Sequence, residues 1–235
     1  MKSHVLASVL CLSALWPASA AADGELAASA APTRVDRRER VGRFEFGYRQ
    51  SFIQSSGLDP FSTQDFLPQL SIGASRTVAA RGPLSFAPGI AWDYAGTSAT
   101  ARGDMSFLTF HRLTVTLEGR LRFGRWGYAF VRGAPGVAYE KAEVDDPSVP
   151  GSALTKSRWL FAGDVSGGYS FPLWSRTESG QLLSRFWAQA DGGYGFVADQ
   201  ELNLSASGQP RAAGVDLGVL GLSGAFFRLS LAASL

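Results

Sequence analysis

From Phe227 to Leu235 the chain ends on a strict alternation: Phe227, Leu229, Leu231, Ala233 and Leu235 are apolar, and Arg228, Ser230, Ala232 and Ser234 between them are polar or small. Successive side chains of a strand point to opposite faces, so this pattern builds a β-strand with one greasy side reaching the carboxylate. Such a face needs cover from a core or from lipid. The same period recurs upstream. Phe44, Phe46, Tyr48 and Phe52 alternate with Glu45, Gly47, Arg49 and Ser51, and Leu70, Ile72 and Ala74 with Gln69, Ser71 and Gly73. Ile90, Trp92 and Tyr94 share one parity within Leu84 to Tyr94. The clearest segment sets Leu113, Val115, Leu117, Leu121 and Phe123 against Thr114, Thr116, Glu118, Arg120 and Arg122, with Gly119 in an outward place. Further segments end near Tyr139 or run from Arg158 to Phe171 and from Phe186 to Phe196, and none carries a helix-period stripe.

The connections alternate in character. Gln54 to Asp65, Ala95 to Asp104, Ala142 to Lys156 and Ala198 to Ala213 are long and rich in Ser, Gly, Asp and Pro, whereas Thr77 to Pro83 and Gly124 to Gly127 are short. Long loops at one end and short turns at the other predict an up-and-down antiparallel barrel. Pro172 to Leu183 is longer than that rule prefers. Gly214 to Leu222 has strand-like alternation of its own, but bacterial single-chain barrels have even strand numbers. We therefore expect eight strands, with that segment an extension of the last long loop or the upper part of the final strand after a bend. Gly167-Gly168-Tyr169-Ser170-Phe171 is echoed by Gly192-Gly193-Tyr194-Gly195-Phe196, as hairpin chemistry and not as a solenoid repeat.

Residues 1–20 have the layout of a cleaved secretory signal: Lys2, an apolar run from Val5 to Trp16, then Ala18-Ser19-Ala20. The run is too short for a membrane-spanning helix, which needs roughly 20 residues. Cys11, the single cysteine, lies inside it without the small preceding residue of a lipoprotein signal, so the expected mature chain has no thiol, no disulfide and no cysteine metal site. Residues 21–41 have no apolar periodicity and read as a disordered periplasmic linker; the charges from Arg34 to Arg43 read as a solvated run. Residues 42–235 form the barrel. With 22 basic and 20 acidic side chains the chain is close to neutral, which argues against a nucleic-acid partner. No later stretch resembles a transmembrane helix, so any spanning segment must be a strand of a closed barrel.

On this topology Trp92, Tyr94, Tyr139, Trp159, Tyr194 and Phe196 fall near the loop ends of strands, and Phe123, Trp126, Phe171 and Trp174 near the turn ends. Two aromatic girdles are what a bilayer-spanning barrel displays at the two interfaces. The opposite parity carries Glu45, Glu118, Asp164 and Asp191 with Arg49, Arg120, Arg132 and Arg228. An eight-stranded interior is just filled by side chains, and charges there must pair. The expectation is a plugged, salt-bridged lumen. Parity alone does not decide whether the grease faces out or in; the signal, girdles and loops make that choice.

Across about Gly42 to Leu235 the chain resembles the small Gram-negative outer-membrane barrels of the OmpA and OmpX transmembrane type, in architecture rather than in motif. The resemblance implies an all-β, eight-stranded antiparallel transmembrane barrel in the cell outer membrane, bounded by outer-membrane lipid and lipopolysaccharide. It also implies insertion by the barrel-assembly machinery, which in such families recognises the final strand. Phe227, Leu229, Leu231 and Ala233 keep that strand's outward alternation, while Leu235 stands where the family closes on Phe or Trp.

Little else carries chemistry. Some small barrels modify lipids with a histidine, serine and carboxylate, as in lipid A deacylases and palmitoyl transferases. Beyond the signal the only histidine is His111, and Leu113 replaces the serine of the deacylase pattern, so His111 reads as a girdle residue. Glu143, Asp145 and Asp146 lack the ligand spacing of a calcium loop. Gly218, Gly221 and Gly224 are followed by no Lys-Ser or Lys-Thr, and Asn203-Leu204-Ser205 is a chance sequon. No cofactor or metal site is expected. The expectation is a monomer with a structural or surface-interaction role through its loops; a narrow porin, a lipid-modifying enzyme and a soluble ligand-binding barrel are the alternatives.

Overall fold

The computed structural model describes residues 42–101, 104–145, 153–178, 181–206 and 215–234. The expected signal and linker (1–20 and 21–41) lie outside them, as do Asp146 and Leu235. The strands are β1 (Gly42–Ile53), β2 (Phe66–Arg76), β3 (Ala79–Arg81), β4 (Leu84–Ala101), β5 (Asp104–Arg122), β6 (Tyr128–Asp145), β7 (Leu154–Glu178), β8 (Gln181–Val197), β9 (Gln200–Ala206), β10 (Val215–Leu220) and β11 (Gly224–Ser234). Eight of them, β1, β2, β4, β5, β6, β7, β8 and β11, pair antiparallel in a closed ring. Closure is made by the first and last strands, in register from Arg43 opposite Ser234 to Ile53 opposite Gly224. A closed ring leaves no unpaired edge. Among the described residues no helix is long and apolar enough to cross a membrane.

The remaining strands extend the wall of the ring at its ends. Short β3 pairs with the start of β4 across a turn in which Gly82 adopts φ 59°. β9 and β10 form a hairpin held on the tip of β7 through Leu154–Ala206 and Thr155–Ser205. The Gly214 to Leu222 segment therefore belongs to the last long connection and adds no ninth ring strand.

Parts of three further expected connections are strand instead of loop, and in Ala142 to Lys156 the flanks pair as far as Val144 opposite Leu154. Ala95 to Asp104 continues the β4–β5 ladder as far as Ala101 opposite Asp104. Beyond the apolar band the outward positions become Gly96, Ser98 and Thr100, so the hydrophobic alternation fades while the backbone ladder continues. Pro172 to Leu183 likewise extends β7 and β8, with irregular register at Pro172 and Trp174. Proline lacks the donor a regular ladder uses, which is why the segment reads as a break.

The glycine echo is explained by pairing. Gly167 lies opposite Gly192, and Ser166 opposite Gly193. A Cβ on Gly168 would meet the Ala190 carbonyl and stand 2.7 Å from the Phe130 ring, so glycine there makes room for an aromatic packed inside the barrel.

Candidate functional site: a charged lumen beneath an apolar stopper

The two faces of the ring are opposite in chemistry. Outward positions hold Leu113, Val115 and Leu117 on β5 and Phe227, Leu229 and Leu231 on β11, between 39% and 60% exposed. Inward positions hold six arginines and six carboxylates, each at most 9% exposed. A water-soluble barrel has the reverse arrangement, because burying charge and exposing continuous grease each cost free energy in water.

All eight charged residues singled out in the sequence point inward, and they fall into layers. Nearest the turn end, Glu118 bridges Arg120 (2.5 Å) and Arg132, and Arg132 also reaches Glu45 at 3.1 Å. Arg120 adds hydrogen bonds to Thr77 and Ser75. In the middle Arg228 grips Asp191 through two donors at 3.0 and 2.7 Å, the fork geometry that suits a guanidinium to a carboxylate. Towards the loop end Arg49 donates to Asp164 at 2.6 Å.

Parity reasoning missed four members of this set. Arg112 bonds Asp93 at 2.6 Å and approaches Asp164 at 3.0 Å, completing the upper layer. Both were legible: Asp93 stands between Trp92 and Tyr94, and Arg112 between His111 and Leu113, on the inward parity. Arg43 does not belong to the solvated charge run before the barrel. Instead it starts β1, is 4% exposed, donates to Gln189 (2.8 Å) and Ser170 (3.1 Å), and packs between the rings of Tyr128 and Trp187. Its inward parity with Glu45 was the available signal. Glu140 is buried on β6 in register with Phe110, and its carboxylate oxygens accept no hydrogen bond among the described residues. Phe226, also inward, lies 3.5 Å beneath the Arg49 guanidinium.

Above the charged layers the filling turns apolar. Residues 54–65 fold over the loop end of the ring, with Leu58 and Phe61 at most 2% exposed against Ile53, Leu67, Leu108 and Phe110. Tight backbone turns hold the segment: Leu58 N donates to Ser55 O at 3.0 Å, and Phe61 N to Leu58 O at 2.8 Å. Thr97 caps the Phe61 carbonyl at 3.1 Å and Ser106 caps that of Pro60, tying the stopper to β4 and β5. The β9–β10 hairpin adds Leu202, Leu204 and Leu220 to the same apolar cluster.

The aromatic residues named from sequence face outward wherever their side chains are described; that of Trp174 lies outside the described ones. Tyr94, His111, Tyr139 and Trp159 occupy one register row across β4 to β7. The His111 ring lies 5.0 Å from Tyr94, 5.9 Å from Trp92 and 6.3 Å from Tyr139, packed within the aromatic row. At the other end Phe123 stacks on Tyr169, whose hydroxyl donates to the Trp126 carbonyl, and Tyr169 meets Phe171 at 4.5 Å. Between His111 and Phe123 the surface is apolar over about 30 Å, for strands rising about 3.3 Å per residue and tilted about 40°. Near the end of β6, Glu143 lies opposite Thr155 and is engaged by Lys141 at 2.7 Å.

No known family model matches the chain, and neither does any curated protein sequence. Solved structures similar to it include the attachment invasion locus protein Ail of Yersinia pestis, at 12% identity and TM-score 0.46 over 84% of this chain and 99% of that one. Neisserial surface protein A is similar at 11% identity and TM-score 0.45, over 82% and 94% of the two chains. A major outer membrane protein from Thermus thermophilus is similar at 15% identity and TM-score 0.45, over 83% and 99%. On its own geometry this chain is an eight-stranded antiparallel β-barrel closed on itself, with an apolar exterior and ion pairs inside.

Proposed function

We propose that the protein is exported to the outer membrane and serves there as a non-conducting scaffold that presents its loop end to surfaces, lipopolysaccharide or partner proteins. The carrying observation is a lumen filled twice over: layers of paired arginines and carboxylates, then the apolar stopper of Leu58 and Phe61. An ion crossing it would have to break buried pairs, each break costing about 3–5 kcal/mol, and then enter a dry apolar layer. Loops on a rigid barrel are free to carry specificity, because the ring and not the loops supplies the stability. The alternation of the final strand supports recognition by the barrel-assembly machinery, and monomeric function fits a ring without edges.

Single-channel recording on the refolded barrel in planar bilayers tests this reading. The expected trace stays at the baseline of the lipid alone. Reproducible ion-conductance steps would replace the scaffold with a narrow porin.

A further inference from the structure

A groove of about 540 Å³ opens on the outside of the ring where β1, β11 and β8 meet the β9–β10 hairpin. Its lower wall is Phe52, Ala225 and Tyr194, which are register neighbours across three strands and continue the apolar exterior. Its upper wall carries the polar Gln54, Ser55, Asp199 and Ser223 beside Val219. We propose that this groove binds one outer-leaflet glycolipid, with acyl chain against Phe52 and Tyr194 and sugar hydroxyls donating to Asp199. The proposal rests on the transmembrane reading above and adds a site and a ligand class to it.

Three observations carry it. The groove opens on the lipid-facing surface, so its apolar half is continuous with the acyl layer and its occupant is a bilayer component. Asp199 is exposed and makes no hydrogen bond among the described residues; as an acceptor-only carboxylate it complements hydroxyl or amine donors and repels a phosphate. The space is also built. Ser55 receives the Gly221 N–H at 3.1 Å, which holds β10 against the β1 end, and a Cβ on Gly221 would stand 2.8 Å from the Asp199 carboxylate. Glycine at that position keeps the carboxylate accessible.

The test places the full barrel in phosphatidylcholine nanodiscs doped equally with monoglucosyl diacylglycerol and phosphatidylglycerol, and native mass spectrometry reads the lipid retained on ejection. The glycolipid should be retained over phosphatidylglycerol by about tenfold or more, the value of one hydrogen bond to a charged acceptor. Asp199→Lys, a surface change that leaves the ring intact, should reverse the preference; Gly221→Leu should abolish retention of both. Equal retention of the two lipids by the unaltered protein, a preference for phosphatidylglycerol, or a preference that survives Asp199→Lys would overturn the site. Failure of the unaltered barrel to enter the discs in a heat-modifiable form would instead strike the transmembrane reading beneath it.

Discussion

At the scale of single residues, Glu118 shows what holds the interior together. Its two oxygens face Arg120 and Arg132, and it is 1% exposed. Glu118→Gln keeps the shape and removes the charge, leaving two buried guanidiniums without their shared partner. The expected loss is about 3–5 kcal/mol, read from urea unfolding of the barrel in lipid vesicles. Glu118→Leu combined with Arg132→Leu should lose less than the sum of the two single changes, because an apolar filling removes the desolvated charges together. Residue roles of this kind were partly legible in advance. Parity separated Glu118, Arg120 and Arg132 from their apolar neighbours, and the same parity carried Asp93 and Arg112. What parity does not contain is distance across the ring: Arg49 meets Asp164 from strands far apart in sequence, a pairing that only closure creates.

Turns and strand ends make the element scale. Between the tight turn Gly124–Trp126 and β6, Gly127 adopts φ 114° and ψ −148°, a conformation that is essentially glycine's alone. A Cβ there would also run into the Ser170 carbonyl. Gly127→Ala should therefore destabilise the β5–β6 hairpin by at least about 1–3 kcal/mol. Gly82→Ala, at φ 59° with nothing within 4 Å of the added Cβ, should cost only about 1–2 kcal/mol. Urea midpoints of the two variants, compared side by side, check the ranking. Element identity was legible in the alternation, and element length was not. Outward grease marks a strand only while lipid lies beside it. Once β4 rises past the row of Tyr94 and His111, its outward side chains become Gly96, Ser98 and Thr100 and imitate a loop, although pairing with β5 continues. The stopper left no periodic signal at all: Leu58 and Phe61 sit in a Ser-, Asp- and Pro-rich connection, and their burial depends on where the ring places its mouth.

For the whole molecule, the proposed non-conducting role implies two seals in series. The charged layers fill the ring between β1, β5, β7 and β11, and the stopper fills the mouth above them with different residues and different forces. Removing either alone leaves the other across the path. The double variant Leu58→Ser with Phe61→Ser takes two fully packed apolar side chains out of the mouth. Its expected stability loss is roughly 3–6 kcal/mol, at about 1.5–3 kcal/mol for each buried side chain. Its conductance in planar bilayers should nevertheless stay at the lipid baseline, because Arg49, Asp93, Arg112 and Asp164 still bridge the lumen directly beneath. Heat-modifiable migration of the same preparation reports that the ring has formed. Conductance steps from a folded double variant would mean that the ion pairs part readily, making the stopper alone the seal and the barrel a gated pore.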